Sequence, residues 1–338
     1  MYFIRVDLGK FSGLGHYSRI NSIINYLKND NYKIVIDKPI KNSFFDINQK
    51  KLLPLYKNHQ KFLNEAEDAK LFLKLIKNKK NAIVIKDSYK LKYEWEKIVY
   101  KQIKKLIVID DDYKLRHYTD FYINHNPRLT ILSKDDKKIL QNNNKSKCKF
   151  LLGLKFSMFN TKFNKKKVIY SDLVFYNGGS GNILVYKKII NRLLSKTKFK
   201  IAVIIGPFSK NIKNLVSIKN SKRLKIYYKP NNILNIIQGT KLFVSSAGIS
   251  MFESSFLKIP TLLFRMNNNQ NLNDTEYEKL GHYFILDKSD LKFTSKIAEL
   301  ILNLHKNTNN IRKFFKYSSL KLNDLKKNFE KNLLQKLK

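Results

Sequence analysis

The chain alternates short runs of β-branched and aromatic residues with longer amphipathic stretches, and it does so twice. In the first half the spacing predicts strands over Tyr2–Val6, Lys33–Ile36, Ala82–Ile85, Lys105–Ile109 and Phe121–Ile123, with a further short strand in Lys147–Leu154. Helical patterns lie between them at Tyr17–Lys28, Gln60–Asn78 and Tyr93–Lys104. A charged stretch, Asn160–Lys167, reads as a linker. A second series then runs through Leu173–Tyr176, Lys200–Ile204, Lys225–Tyr228, Ile233–Gln238, Leu242–Ser245 and Thr261–Phe264, with helices over Ile183–Ser195 and near Met251–Leu257. Strands that return parallel to one another need crossover helices, so this alternation constrains the fold to parallel α/β units. Two series of similar size predict two Rossmann-like domains facing a cleft, over 1–158 and 168–310, followed by a basic helical tail over 311–338. In such sheets ligands bind at the carboxyl ends of strands, so the loops that follow strands carry the information.

Composition narrows the class. With 338 residues, of which 43% are hydrophobic, the chain can bury two ordinary cores, and wholesale disorder is excluded. The single cysteine, Cys148, excludes a disulfide framework and a cysteine-rich zinc site and fits a reducing compartment. Arg5 and Asp7 interrupt any signal-peptide core, and Glu253 and Lys258 break the longest apolar stretch. A cytoplasmic protein is therefore expected. Lysine and arginine number 67 against 26 acidic residues, a net charge of +41. Charge of this size points to nucleic acid or an anionic membrane surface. The excess is mostly lysine, however, and is spread along the chain with Asn, Ile, Tyr and Phe. These residues share A/T-rich codons, so no specific nucleic-acid partner is expected, while weak association with anionic membranes stays open.

Five loops after strands stand out. Gly13-x-Gly15-His16 follows the first strand and opens a helix. Glycines there let backbone approach a ligand and free N–H groups face an anion. A capping turn with a partly buried histidine is the plain reading; a general base at a pocket mouth is the sharper one. Asp110-Asp111-Asp112 follows the strand ending at Ile109 and reads either as a metal-binding acidic loop or as a turn with an N-cap. Asp87-Ser88-Tyr89 sits where a substrate would lie. In the second half, Asn177-Gly178-Gly179-Ser180-Gly181 lacks the Lys-Ser/Thr of a phosphate-binding P-loop. Ser246-Ala247-Gly248-x-Ser250-x-x-Glu253 combines small residues with a carboxylate able to accept both hydroxyls of a ribose.

Taken in order, Arg5-x-Asp7, Gly13-x-Gly15-His16-x-x-Arg19, Asp87-x-Tyr89, Asp110-Asp111, Gly153-x-x-Phe156, Gly178-Gly179-Ser180, Ser246-Ala247-Gly248-x-Ser250-x-x-Glu253 and Asn269-Gln270 resemble the UDP-sugar hydrolases of pseudaminic acid biosynthesis. That family is similar to the lipid-linked GlcNAc transferases of peptidoglycan synthesis, and the resemblance implies a two-domain fold of GT-B type. It also implies release of UDP from UDP-2,4-diacetamido-2,4,6-trideoxy-altrose, with His16 activating water at the anomeric carbon and neither metal nor cofactor required. Arg5, Asp7, Gly13, Gly15, Arg19, Asp87, Tyr89, Asn269 and Gln270 are then expected at the substrate. Gly178, Gly179, Ser180, Ser246, Ala247, Gly248, Ser250 and Glu253 are expected at the nucleotide. Gly178-Gly179-Ser180-Gly181 and the Gly153 segment depart from the family pattern, and both bear on the sugar. A GT-B type glycosyltransferase with a UDP-sugar donor is the alternative.

Overall fold

The computed structural model describes residues 1–8, 14–27, 31–39, 48–56, 62–76, 79–145, 147–162, 164, 168–209, 222–266, 270, 274–281, 284–314 and 322–337. The chain forms two compact units. The first comprises Met1–Ser12, His16–Met158 and Asn323–Lys338; the second comprises Gly13–Gly15 and Phe159–Leu322.

The first unit holds a seven-stranded sheet of β1 (Tyr2–Val6), β2 (Tyr32–Ile36), β3 (Leu52–Pro54), β4 (Ile83–Asp87), β5 (Lys105–Ile109), β6 (Phe121–Asn124) and β7 (Lys149–Leu152). Its order is β3-β2-β1-β4-β5-β6-β7 and every pair is parallel. The connecting helices are α1 (Gly15–Leu27), α2 (Glu65–Leu75), α3 (Tyr93–Tyr100) and α4 (Lys134–Asn143). The central strands are buried on both faces and mostly apolar, as parallel strands covered on two sides are, with Arg5 and Lys86 among the exceptions. Phe3, Val84, Leu106 and Val108 pack beneath α2 and α3 with Phe72 and Trp95, whose rings lie 5.2 Å apart. Truncating either ring to alanine should cost about 3–5 kcal/mol.

The second unit has β8 (Ser171–Tyr176), β9 (Ile201–Ile205), β10 (Leu224–Tyr228), β11 (Thr240–Ser246), β12 (Thr261–Arg265) and β13 (Phe284–Asp287) in the order β10-β9-β8-β11-β12-β13, again all parallel. Its described helices include α5 (Lys187–Lys196), α6 (Leu234–Ile237), α7 (Ser250–Phe256), α8 (Asp274–Glu278), α9 (Thr294–Lys306) and α10 (Thr308–Phe314). One core joins α5 to α9 through Ile189, Ile190, Leu193, Ile297 and Ile301, and the other lies under α6. Both sheets share one winding: two strands run outward from the starting strand on one side and the rest on the other. The reversal falls between β1 and β4 and between β8 and β11, the points where doubly wound sheets open a crevice for ligands.

The segment Ile233–Gln238, which reads as a strand, is the short helix α6. Asn232 caps it by accepting a bond from the Leu234 N–H at 3.0 Å, and a helical turn buries Leu234, Ile236 and Ile237 together. The basic C-terminal segment is shared between the units. Ile311 on α10 enters the core of the second unit. On α11 (Leu322–Asn332), Leu325 and Phe329 are buried, and Phe329 stacks on Tyr26 at 4.8 Å and meets Phe156 edge-on at 5.5 Å, both in the first unit. Among the described residues no helix is long and apolar enough to cross a membrane.

Candidate functional site

At the reversal point of the first sheet, α1 follows β1 and buries His16, Arg19, Ile20, Ile23 and Leu27 along one stripe. Residues three and four apart share a helix face, so the apolar pattern that seats α1 also carries His16 and Arg19 inward. They meet Asp87, the last residue of β4. His16 Nδ1 lies 2.6 Å from Asp87 Oδ1. Arg19 donates through Nε to Asp87 Oδ2 at 3.0 Å and through Nη2 to Oδ1 at 2.7 Å. Its Nη1 donates to both oxygens of Asp111 at 2.7 and 2.8 Å. Tyr89 donates its hydroxyl to Asp111 at 2.6 Å and sets its ring edge-on to His16 at 4.6 Å.

Electrostatics fix the protonation of this cluster. Burial opposes the charge on Asp87, but Arg19 and His16 outweigh it and hold the carboxyl below its usual range. For Asp111, burial is outweighed by Arg19, and the carboxyl is held well below normal. Burial also works against Arg19, and Asp111 and Asp87 more than compensate, so the guanidinium stays charged. An ionised Asp87 only accepts, so the 2.6 Å bond is donated by His16 Nδ1–H. In the neutral ring Nε2 is then the acceptor. It is buried and has no hydrogen-bond partner among the described residues.

Sequence reasoning leaves Asp111 and His125 out of the site. Asp111 belongs to a run of three aspartates whose sequence does not tell which one turns inward. Asp110 caps the backbone N–H of Asp112 at 2.8 Å, Asp112 that of Lys114 at 3.0 Å, and Asp111 takes Arg19. His125, just after β6, accepts the Met158 N–H at 3.3 Å and sets Nε2 3.8 Å from Asp111; burial lowers its pKa to about 4, so it is neutral. Its position after a strand is the only signal.

Arg5, expected at the substrate, is placed otherwise. It lies fully buried on β1 and donates to Asp68 at 2.6 and 3.3 Å and to Asp37 at 2.5 Å. Asp68 also accepts from Tyr56 and from Trp95 Nε1, so Arg5 braces β1 against α2 and α3. The strand alternation that buries Phe3 beneath these helices buries Arg5 on the same face. Asp7, beyond β1, accepts from Ser88 at 2.9 Å and has Lys90 at 3.6 Å. Gln270 is committed locally: its side-chain oxygen accepts the Met266 N–H at 2.7 Å. Gly15 is the first residue of α1. Gly13 and Asn269 lie outside the described residues.

The second unit repeats the geometry with different chemistry. After β8, Gly178 has φ of +71°, a conformation open to glycine, and Gly179 and Ser180 complete the turn. A side chain at Gly206 would strike the carbonyls of Gly178 and Gly179. After β11, Ser246, Ala247 and Gly248 lead into α7; Ser250 on that helix pairs with Ser245 at 3.0 Å. A Cβ at Gly248 would meet nothing within 4 Å, so backbone there lies open. Glu253 follows one turn later, 6% exposed, and its carboxylate has no hydrogen-bond partner among the described residues. Burial pushes it up to about 8.

Two parallel sheets with this winding define a fold of GT-B type. No known family profile matches the chain. Over 330 residues it is 25% identical to the uncharacterized protein MJ1062 of Methanocaldococcus jannaschii, covering 87% of this chain; the chain spans 64% of that relative's length. MurG of Acinetobacter baumannii is similar in fold with a TM-score of 0.59 at 10% identity, over 99% of each chain. The UDP-GlcNAc 2-epimerase of Neisseria meningitidis, bound to UDP-GlcNAc, also scores 0.59 at 12% identity, over 99% of this chain and 100% of the other.

Proposed function

We propose that the protein hydrolyses a UDP-activated deoxy-amino sugar by water attack at the anomeric carbon, as in the formation of nonulosonic, pseudaminic-type acids. The observation that carries this reading is His16. Asp87 holds its Nδ1–H, and its buried Nε2 is an acceptor without a partner. A water at Nε2 gives up a proton as its oxygen bonds to the anomeric carbon. The bond from that carbon to the diphosphate oxygen breaks, and the electron pair leaves on UDP. Such a leaving group needs no general acid, so what remains to be supplied is a base and its orientation, the roles of His16 and Asp87. The ionised Asp87 then stabilises the imidazolium that forms, as a buried carboxylate does for a catalytic histidine.

The nucleotide belongs to the second unit in this reading. A ribose diol donates two hydrogen bonds, and Glu253 is a buried carboxylate that lacks donors. The open backbone at Gly248 and the glycine turn at Gly178 leave room for a diphosphate. The UDP-GlcNAc in the Neisseria structure, a ligand of the same chemical class, supports a UDP-sugar as the substrate. A panel of sugar nucleotides without acceptor, read by mass spectrometry, tests it. Free sugar and UDP from one or more UDP-sugars is the expected outcome. Turnover only when an acceptor is added would replace hydrolysis with glycosyl transfer.

A further inference from the structure

His16 Nδ1 has two neighbours competing for it. Asp87 Oδ1 at 2.6 Å asks it to donate, and Arg19 Nη2 at 2.9 Å offers it a proton to accept. The outcome decides the chemistry. If Nδ1 donates to Asp87, Nε2 is a base; if Nδ1 accepts from Arg19, Nε2 carries the proton and is not. What tips the balance is where the guanidinium points. Nη1 is held by both oxygens of Asp111 at 2.7 and 2.8 Å, which fixes the plane of the fork and turns Nη2 and Nε onto Asp87. Asp111 is fixed in turn by the Tyr89 hydroxyl at 2.6 Å, with His125 Nε2 3.8 Å away.

We infer that Asp111 is a positioning residue that selects the tautomer of His16, acting through Arg19. Asp111 does not touch the imidazole. Its carboxylate adds a second anion beside the single positive charge of Arg19 and holds that cation in the one orientation that leaves Asp87 as the acceptor for Nδ1–H. The catalytic meaning of the tautomer rests on the reading of His16 as the base; the tautomer itself does not.

The test is nitrogen NMR of the imidazole in substrate-free protein at alkaline pH, with the His16 signals assigned by their loss in His16→Asn. The wild type should show one tautomer, with Nε2 unprotonated. Asp111→Asn keeps the shape and removes the charge, so a population with Nε2 protonated should appear. Turnover of the UDP-sugar should fall about 10- to 100-fold, the span usual for a lost outer-shell partner, with KM little changed. Asp111→Glu should restore the single tautomer. Arg19→Lys, which replaces the fork by a point charge, gives a second route to the same mixture should Asp111→Asn fold poorly. A shifted tautomer without turnover of any sugar nucleotide supports the inference and removes the hydrolase reading. A single unchanged tautomer in both variants overturns the inference, even where turnover is lost.

Discussion

The two reversal points of the molecule are alike in backbone and opposite in chemistry. At the first, five polar side chains close on one another: His16 on Asp87, Arg19 on Asp87 and Asp111, Tyr89 on Asp111. One ring nitrogen is left over. At the second, the buried ionisable group is Glu253, which burial keeps protonated up to about pH 8, and nothing among the described residues answers it. The contrast teaches a division of labour. A group that must react is oriented before the substrate arrives, because reorganisation during the reaction costs rate. A group that must bind is left unsatisfied, so that the ligand itself supplies the missing hydrogen bonds. The first arrangement is stable without ligand; the second becomes stable with it.

The sharpest way to break the comparison is to spoil the preorganised side. Asp87→Asn keeps the shape but offers an amide to His16, favouring the wrong tautomer, and turnover should fall by about 10⁴-fold. UDP affinity, measured by calorimetry, should stay within about twofold, since the proposed nucleotide site lies in the other unit. Parallel loss of both would show that the two sites are not separate in role.

Next in size is a control on what counts as site. The Arg5–Asp68 pair resembles the Arg19–Asp87 pair in burial but serves the scaffold. Asp68→Ala leaves Arg5, Tyr56 and Trp95 without their shared acceptor. It should lower unfolding free energy by about 3–5 kcal/mol in denaturant titration. A folded Asp68→Ala protein of normal stability with altered substrate affinity would move Arg5 back to the substrate.

Glu253→Gln tests the unsatisfied side, and here stability and binding should move in opposite directions. An acid whose folded pKa, about 8, exceeds its unfolded value near 4.5 keeps its proton in the native state after the unfolded chain has lost it. The native state then binds more protons, so this group makes stability fall as pH rises from about 4.5 to 8. Glu253→Gln should therefore raise stability at pH 8 by about 1–3 kcal/mol and leave it unchanged below pH 4.5. Its UDP affinity should weaken by about 1.5–3 kcal/mol. A variant no more stable at pH 8 would mean that Glu253 is already satisfied. The smallest expected effect concerns the +41 charge. Binding to anionic vesicles should be weak and vanish at high salt. Sequence-selective nucleic-acid binding that survived such salt would give the charge a function outside both sites.

How much of this was legible in the sequence follows the same division. Strands such as Tyr2–Val6 and Lys105–Ile109 are read to the residue, because strands buried on both faces are short, largely apolar runs rich in β-branched and aromatic residues. The edge strands Leu52–Pro54 and Phe284–Asp287 escape, being three and four residues long and only half buried. The helix α4 also escapes. Its capping box of Ser133 and Asp136 is a clear start signal, but the ten residues that follow bury only Asp136 and Leu140 and show no strong apolar stripe. At the site, His16 and Asp87 are found because one follows a strand and the other ends one at the reversal point. Partner choice is not legible. Arg5 and Arg19 are equivalent in type, and only the fold decides that one meets Asp68 and the other Asp87 and Asp111.

The central claim is that His16 activates water against carbon rather than phosphorus. Running the reaction in water enriched in oxygen-18, with wild type and His16→Asn side by side, tests it directly. The account predicts that wild-type protein releases UDP free of the heavy isotope, because the sugar carbon takes the water oxygen. It also predicts that His16→Asn, with Asp87 still paired to Arg19 and the fold intact, turns over about 10²- to 10⁴-fold more slowly. Heavy oxygen in the terminal phosphate of UDP, or a folded His16→Asn protein working at the wild-type rate, would contradict it.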